Sequence, residues 1–426
     1  MNYTKKEIYR YWWTIAIMMY IMYINVMHKW GHQGDMTCWM DWAKYMRING
    51  LTKIYDNTET RCDYFPAYLY ILWLHGKIQG SMQNLQDNLY TIKWFTLIFD
   101  FLGAFLAVWY VREPIKKVAL FIFLMLNIAY IYNTVQWAQV DAIFTFFGFA
   151  AVIAALEKKV SLSIVSFMLC INFKLQAIVF IPVLGLILLP QFLSKKGVQQ
   201  LFIGLFFGLL IQLAILFPFI VKGKLDKVWH VFTHLAGQYP YPSLCAFNIW
   251  FWFFPNTTIE GMYELNDGVK LGFLTLRQIG NLMFLVMMLA TVFPLMKYEY
   301  QTLIEKKILS FPLEKIFLMC ALVPLCFFYF NTEMHDRYTH PALIALAAYA
   351  FCSVNKLRYI PLILGSVAYL LNLEKPLRVM ALTNYETLIF DPKFGAVLWG
   401  ILIMLLFYLL YSRKIDTNEE LILHIQ

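Results

Sequence analysis

The feature that most constrains this chain is its succession of apolar runs. They recur at 11–27, 92–111, 117–133, 140–156, 160–173, 177–190, 199–221, 278–296, 316–330, 341–354, 359–373 and 394–411. Each run is continuous rather than alternating, which argues against an outer-membrane barrel. A straight helix needs about twenty apolar residues to cross a bilayer, so the expectation is an all-α polytopic membrane protein with about 12 transmembrane helices, several short or broken. The charge content agrees. Only 14% of residues are charged, against about a quarter in soluble domains.

The formal charge of +9 would suggest nucleic acid in a soluble chain. Here the basic residues collect in short loops: Arg112 with Lys116 and Lys117, Lys158-Lys159, Lys195-Lys196, Lys297 with Lys306 and Lys307, Lys356 with Arg358, and Arg413-Lys414. Such loops face the cytoplasm. Lys5, Lys6 and Arg10 precede the first run, which no small-residue cleavage site follows, so both ends are expected inside. The chain reads as one integral-membrane domain over 1–426, with a first outer loop at 28–91, a second large outer loop at 222–277 and a cytoplasmic tail at 412–426. In the first loop, Met36, Trp39, Met40, Ala43 and Met46 predict a helix lying along the bilayer surface and ended by Asn49-Gly50. The apolar stretch 64–74 is too short to span and is expected to be interfacial or re-entrant.

The unusual polar residues fall on the side opposite the basic loops. Asp35 follows a glycine; its carboxylate could take a proton from a hydroxyl or could cap the helix expected from Met36. Asp63 carries the same ambiguity. Gln139, Asp141, Lys174 and Gln176 stand at the mouths of apolar runs, where ionisable groups either mark a site or reach for the interface. Asn248 and Trp250 lie in the second large loop, and His335, Asp336 and Arg337 follow a late run. A histidine beside a guanidinium fork suits phosphate. His28, His32 and Asp35 are close in sequence, and His230 and His234 are one helical turn apart, but no zinc pattern, phosphate loop or nucleophile elbow is present. The seven cysteines include no CxxC pair and read as small apolar residues.

Taken in order, GDMxxWxxWA from Gly34, CDYFPAYLY from Cys62, WAQVD from Trp137, NFKLQA from Asn172 and MHDRY from Met334 resemble integral-membrane glycosyltransferases of the GT-C superfamily. The nearest group is the bacterial mannosyltransferase-like proteins related to the enzyme that adds the second mannose in GPI-anchor synthesis. The resemblance covers about 34–345. It implies a polyprenyl-phosphate-sugar-dependent hexosyltransferase (EC 2.4 class) that moves a hexose, mannose among the candidates, by inverting displacement. The acceptor would be lipid- or glycan-linked, the site non-cytoplasmic, and no nucleic acid is involved. Carried over residue by residue, Asp35 is catalytic, while Asp63, Tyr64, Trp137, Gln139, Asp141, Lys174, Gln176, His335, Arg337 and Tyr338 bind substrate. Asn248 joins the substrate set from the large outer loop. Phe65, Ala138 and Asp336 depart from the family pattern, standing where it has proline, glycine and glutamate. No cofactor is fixed by the pattern, and a divalent metal stays open. The membrane is expected to be a bacterial cell membrane with the site outward, with the endoplasmic reticulum as the alternative. The rival reading is a transporter or flippase of lipid-linked sugars, which would spread polar groups along a path rather than gather them on one face.

Overall fold

The computed structural model describes residues 4–234, 237–307, 309–353, 355–412 and 422–423. Among the described residues the fold is all-α apart from two pairs of two-residue strands. A capping box between Thr4 and Glu7 starts α1 (Lys5–Val26). The first loop carries α2 (Gln33–Asn49), closed by Gly50 at a φ of 90°, then α3 (Pro66–Ile78) and α4 (Met82–Asn88). There follow α5 (Ile92–Ala107), α6 (Pro114–Met125), α7 (Ile128–Val135), α8 (Asp141–Leu156), α9 (Val160–Phe173) and α10 (Ile181–Leu188). The long α11 (Lys195–Val221) leads into α12 (Leu225–His234), and the second loop holds two single turns, α13 (Trp250–Phe253) and α14 (Ile259–Met262). The chain closes with α15 (Leu276–Leu303), α16 (Leu313–Phe330), α17 (His340–Phe351), α18 (Tyr359–Leu377) and α19 (Pro392–Tyr411). Of the tail expected at 412–426, all but Ser412 and 422–423 lies outside the described residues.

The number of membrane crossings is a correction to the sequence reading. Among the described residues, six helical stretches are long and apolar enough to span: Met82–Ala107, Leu175–Leu193, Lys195–Val221, Leu276–Leu303, Leu313–Phe330 and Pro392–Tyr411. The bent pair α6–α7, broken by 53°, brings the total to seven at most. Several expected spans fail on length: α8, α9 and α17 have 16, 14 and 12 residues. Apolar helices of that size are more often core than span, and α8 and α17 are buried almost throughout. α1 and α18 are longer, but Glu7 and Arg10 in one and Glu374 and Lys375 in the other dilute their apolar character. A fold of about 12 spans is not what this sequence forms. The GT-C resemblance, although read from motifs, implies more spans than are found, so it is not upheld, and neither are the mannosyltransferase reading attached to it and the six-loop charge register.

What remains positions the site. One apolar core runs through α5 to α10 and α15 to α19. A smaller one, built on Trp39, Trp42, Met46, Tyr68 and Leu72, seats the first loop against Ile143 of α8 and Phe219 of α11. The first residue of α8, the last of α9 and the loop between α16 and α17 all meet at one end of this bundle, beneath α2.

Candidate functional site

The site begins with a lysine. Lys93, at the start of α5 and fully buried, donates to the carbonyl oxygens of His28, Trp30 and Val135 at 3.0, 2.6 and 2.9 Å. This ammonium joins the exit of α1 to the end of α7. Beside it, the His32 amide donates to the Trp137 carbonyl at 3.0 Å. Gly31 makes the approach feasible, since a Cβ there would stand 2.6 Å from that carbonyl oxygen. Ala138 holds a φ of 74°, a left-handed conformation that ordinarily favours glycine.

The two zipped segments deliver Asp35. It does not cap its helix; α2 starts at Gln33 with His32 as N-cap, and Asp35 lies in the first turn. Its Oδ2 accepts from Trp137 Nε1 and Gln139 Nε2, both at 2.7 Å, with His32 Nδ1 at 3.1 Å. Tyr64 supports Gln139 by donating its hydroxyl to Oε1 at 3.3 Å. Behind this layer Asp141 forms an ion pair with Lys174 and accepts from Asn133 Nδ2 at 3.0 Å. Arg337 Nε stands 3.7 Å from Asp141 Oδ2, and its guanidinium lies 5.6 Å from the Trp137 ring centroid and 3.5 Å from Asp336. Neither Lys174 nor Asp141 reaches out to the interface; both are buried.

These groups surround one cavity of about 680 Å³. Asp35, Asp63, Tyr64, Trp137, Lys174, Gln176, His335, Arg337 and Tyr338 line it, while Gln139 and Asp141 lie just behind the wall. Asn248 does not belong to it. Its amide takes the Trp250 backbone N–H at 3.3 Å and reaches the Pro242 carbonyl at 3.5 Å, fixing the second loop instead. The residues from 237 to 245 close over the cavity, with Gln238 Nε2 donating to Asp63 Oδ2 at 3.0 Å and Leu244 N to Met334 O at 2.9 Å. A clamp at the rim holds that cover: Arg277 grips Asp267 through two bonds of 2.9 Å and Glu333 at 2.8 Å, and Glu333 accepts from the Gly237 amide at 2.8 Å.

The carboxyls differ sharply in their electrostatics. Burial pushes Asp35 up, but the Arg337 guanidinium, with His32 and Trp137, outweighs it and holds the carboxyl well below the usual range. Burial raises Asp63, offset only in part by the neutral Gln238 amide. Burial likewise lifts Asp336 to about 7, although Arg337 beside it pulls the other way. Burial and the neighbouring Arg337 charge push His335 well below the imidazole range, so it is a neutral donor or acceptor and not a cation. Asp35 is thus held towards its anionic form, chiefly by Arg337, and Lys174 and Arg337 are the basic groups beside it.

No family model matches the chain, and no curated protein matches it. Among the described residues no group of three or more His, Cys, Asp or Glu is arranged to hold a metal ion. His230 and His234 face one another, with ring centroids 3.8 Å apart, on α12 rather than at the cavity. Residues that sequence reasoning overlooked are Lys93, Gln238 and the Arg277 clamp. Lys93 had a signal, being one of two charges, with Asp100, inside the apolar run 92–111. Gln238 and Arg277 had none, because only folding brings the second loop onto the first.

Proposed function

We propose that the protein transfers a glycosyl group from a polyprenyl-phosphate donor to a hydroxyl-bearing glycan or glycolipid acceptor. The observation that carries this reading is the placement of Arg337 and Lys174 in a cavity wall beside the hydrogen-bonded Asp35 carboxylate. The acceptor oxygen attacks the anomeric carbon while the bond from that carbon to the phosphate oxygen breaks, inverting the centre. The polyprenyl phosphate leaves with the bonding electrons, and its added negative charge is met by Arg337 and Lys174. The acceptor proton goes to Asp35. A carboxylate held this far down is a weak base, so it takes the proton late, once the hydroxyl oxygen carries positive charge. Trp39, Trp42 and Tyr239 supply ring faces in the wall for sugar C–H surfaces. The membrane on this reading is a bacterial cell membrane, with the cavity facing outward.

The test is to incubate purified protein with a panel of polyprenyl-phosphate sugars and follow donor consumption and product. Turnover of one donor by the wild type, with loss on Arg337→Ala and a large loss on Arg337→Lys, is the expected result, because lysine lacks the planar fork. Full turnover by folded Arg337→Ala removes Arg337 from the role of meeting the phosphate charge. Consumption of no donor, together with vectorial movement of intact lipid-linked sugar across vesicles, replaces transfer by transport.

A further inference from the structure

The helix α12 presents three faces. Val228 and Val231 are buried, Val228 in the cluster that seats the first loop. Asp226, Lys227, His230, Thr233 and His234 form an exposed polar arc. Between these two faces, Leu225, Trp229 and Phe232 recur at i, i+4 and i+7 and are 45, 63 and 41% exposed. Such spacing places three large apolar side chains on one stripe, which stays exposed apart from the stacking of Phe65 on Phe232.

The position of α12 identifies what covers it. α11 is a candidate span whose Phe202, Leu205, Phe206, Leu209, Leu213 and Phe217 face outward, as in a helix surrounded by lipid. Its end is closed tightly: the amides of Lys222, Gly223 and Lys224 fold back onto the carbonyls of Pro218, Ile220 and Phe219 at 3.1, 3.0 and 2.8 Å, with Gly223 at a φ of 62°. Three residues separate the helices, and three residues reach at most about 10 Å. α12 therefore starts within that distance of the end of a span, at the depth of the lipid headgroups. Tryptophan and flanking lysine are the residues that settle there.

We infer that α12 lies in the bilayer interface, with the stripe Leu225, Trp229 and Phe232 inserted among phospholipid chains just below the headgroups. This attachment reaches the cavity. Phe65, in the cavity wall, stacks on Phe232 with ring centroids 5.8 Å apart, and Asp56 ahead of it bonds Lys224 at 2.7 Å. The interfacial helix thus fixes the mouth of the cavity at headgroup level, where the reacting end of a membrane-borne amphiphile lies. The inference does not depend on sugar transfer being the reaction.

A photoreactive benzophenone amino acid placed at Trp229 in the full chain tests it, in phosphatidylcholine–phosphatidylglycerol vesicles, with His230 on the polar arc as the control position. The expected result is several-fold more phospholipid adduct at 229 than at 230, read by mass spectrometry. Should position 229 not tolerate the probe, Leu225 samples the same stripe. A covalent dimer as the main product at 229 makes the stripe an interface between copies of this chain and overturns the inference. Equal lipid labelling at 229 and 230, or none at either, overturns it as well.

Discussion

At the scale of single residues, the cavity separates carboxyls that look alike in the sequence. Asp35 sits among donors and a guanidinium, whereas Asp336 is buried with Arg337 at 3.5 Å and no hydrogen bond on its Oδ1. Asp35→Asn keeps the shape and leaves the His32 cap in place, but removes the anion. On the proposed function, it is expected to lower donor turnover by about 10²–10⁴, with helical content unchanged by circular dichroism. Asp336 predicts a pH effect on stability instead. Its folded pKa of about 7 is raised above the ordinary carboxylate value, so the stability it contributes is complete below that ordinary value. That stability is lost as pH rises towards 7. The groups facing it are Arg337, His32, Asp35 and Asp141, with the Cys245 thiol also nearby. Melting curves of wild type and Asp336→Asn at about pH 4 and about pH 8 check this. The wild type is expected to fall further between the two, and parallel curves would show that Asp336 does not titrate there.

At the scale of elements, the site depends on two loop segments held side by side. Lys93 satisfies three carbonyls from both, and Gly31 is the glycine at which they approach each other. A methyl group there meets backbone oxygen at 2.6 Å and the Ala138 Cβ at 2.8 Å, distances that force the segments apart. Gly31→Ala is therefore expected to displace Trp137 and Gln139 from Asp35 and to cost about 1–3 kcal/mol of stability through overpacking. Donor turnover should fall with it. A variant that melts with the wild type and keeps full turnover would show the zipper is not needed. The clamp of Arg277 on Asp267 and Glu333 does for the cover what Lys93 does for the floor, tying the second loop to the segment that carries Arg337.

At the scale of the whole molecule, the candidate spans set the cavity's end of the bundle apart from the opposite end. Met82–Ala107 meets the site through Lys93, partway along the stretch at the start of α5, and its carboxyl end leads on to Glu113. Cysteine placed at Glu59 and at Glu113, both exposed, should react with an impermeant maleimide from opposite sides of oriented vesicles. Labelling of both from one side would mean this stretch does not cross. The sequence by itself determined the chemistry class of the environment: 61% hydrophobic residues in long continuous runs leave helices in lipid as the stable solution. It also picked out some polar residues that line the cavity, such as Asp35, Lys174 and Arg337, because an aspartate, lysine or arginine beside an apolar run is costly enough to stand out. Only the tertiary structure decided how many runs are long enough to span. An apolar 14-residue helix reads the same whether lipid or protein covers it, and α9 and α17 are separated from true spans by length and packing. Tertiary structure likewise decided that Asn248 serves the second loop while Gln238 reaches Asp63, 175 residues away in the chain. Hydrogen bonds between distant segments leave no periodicity in the sequence, so only the packed chain could reveal them.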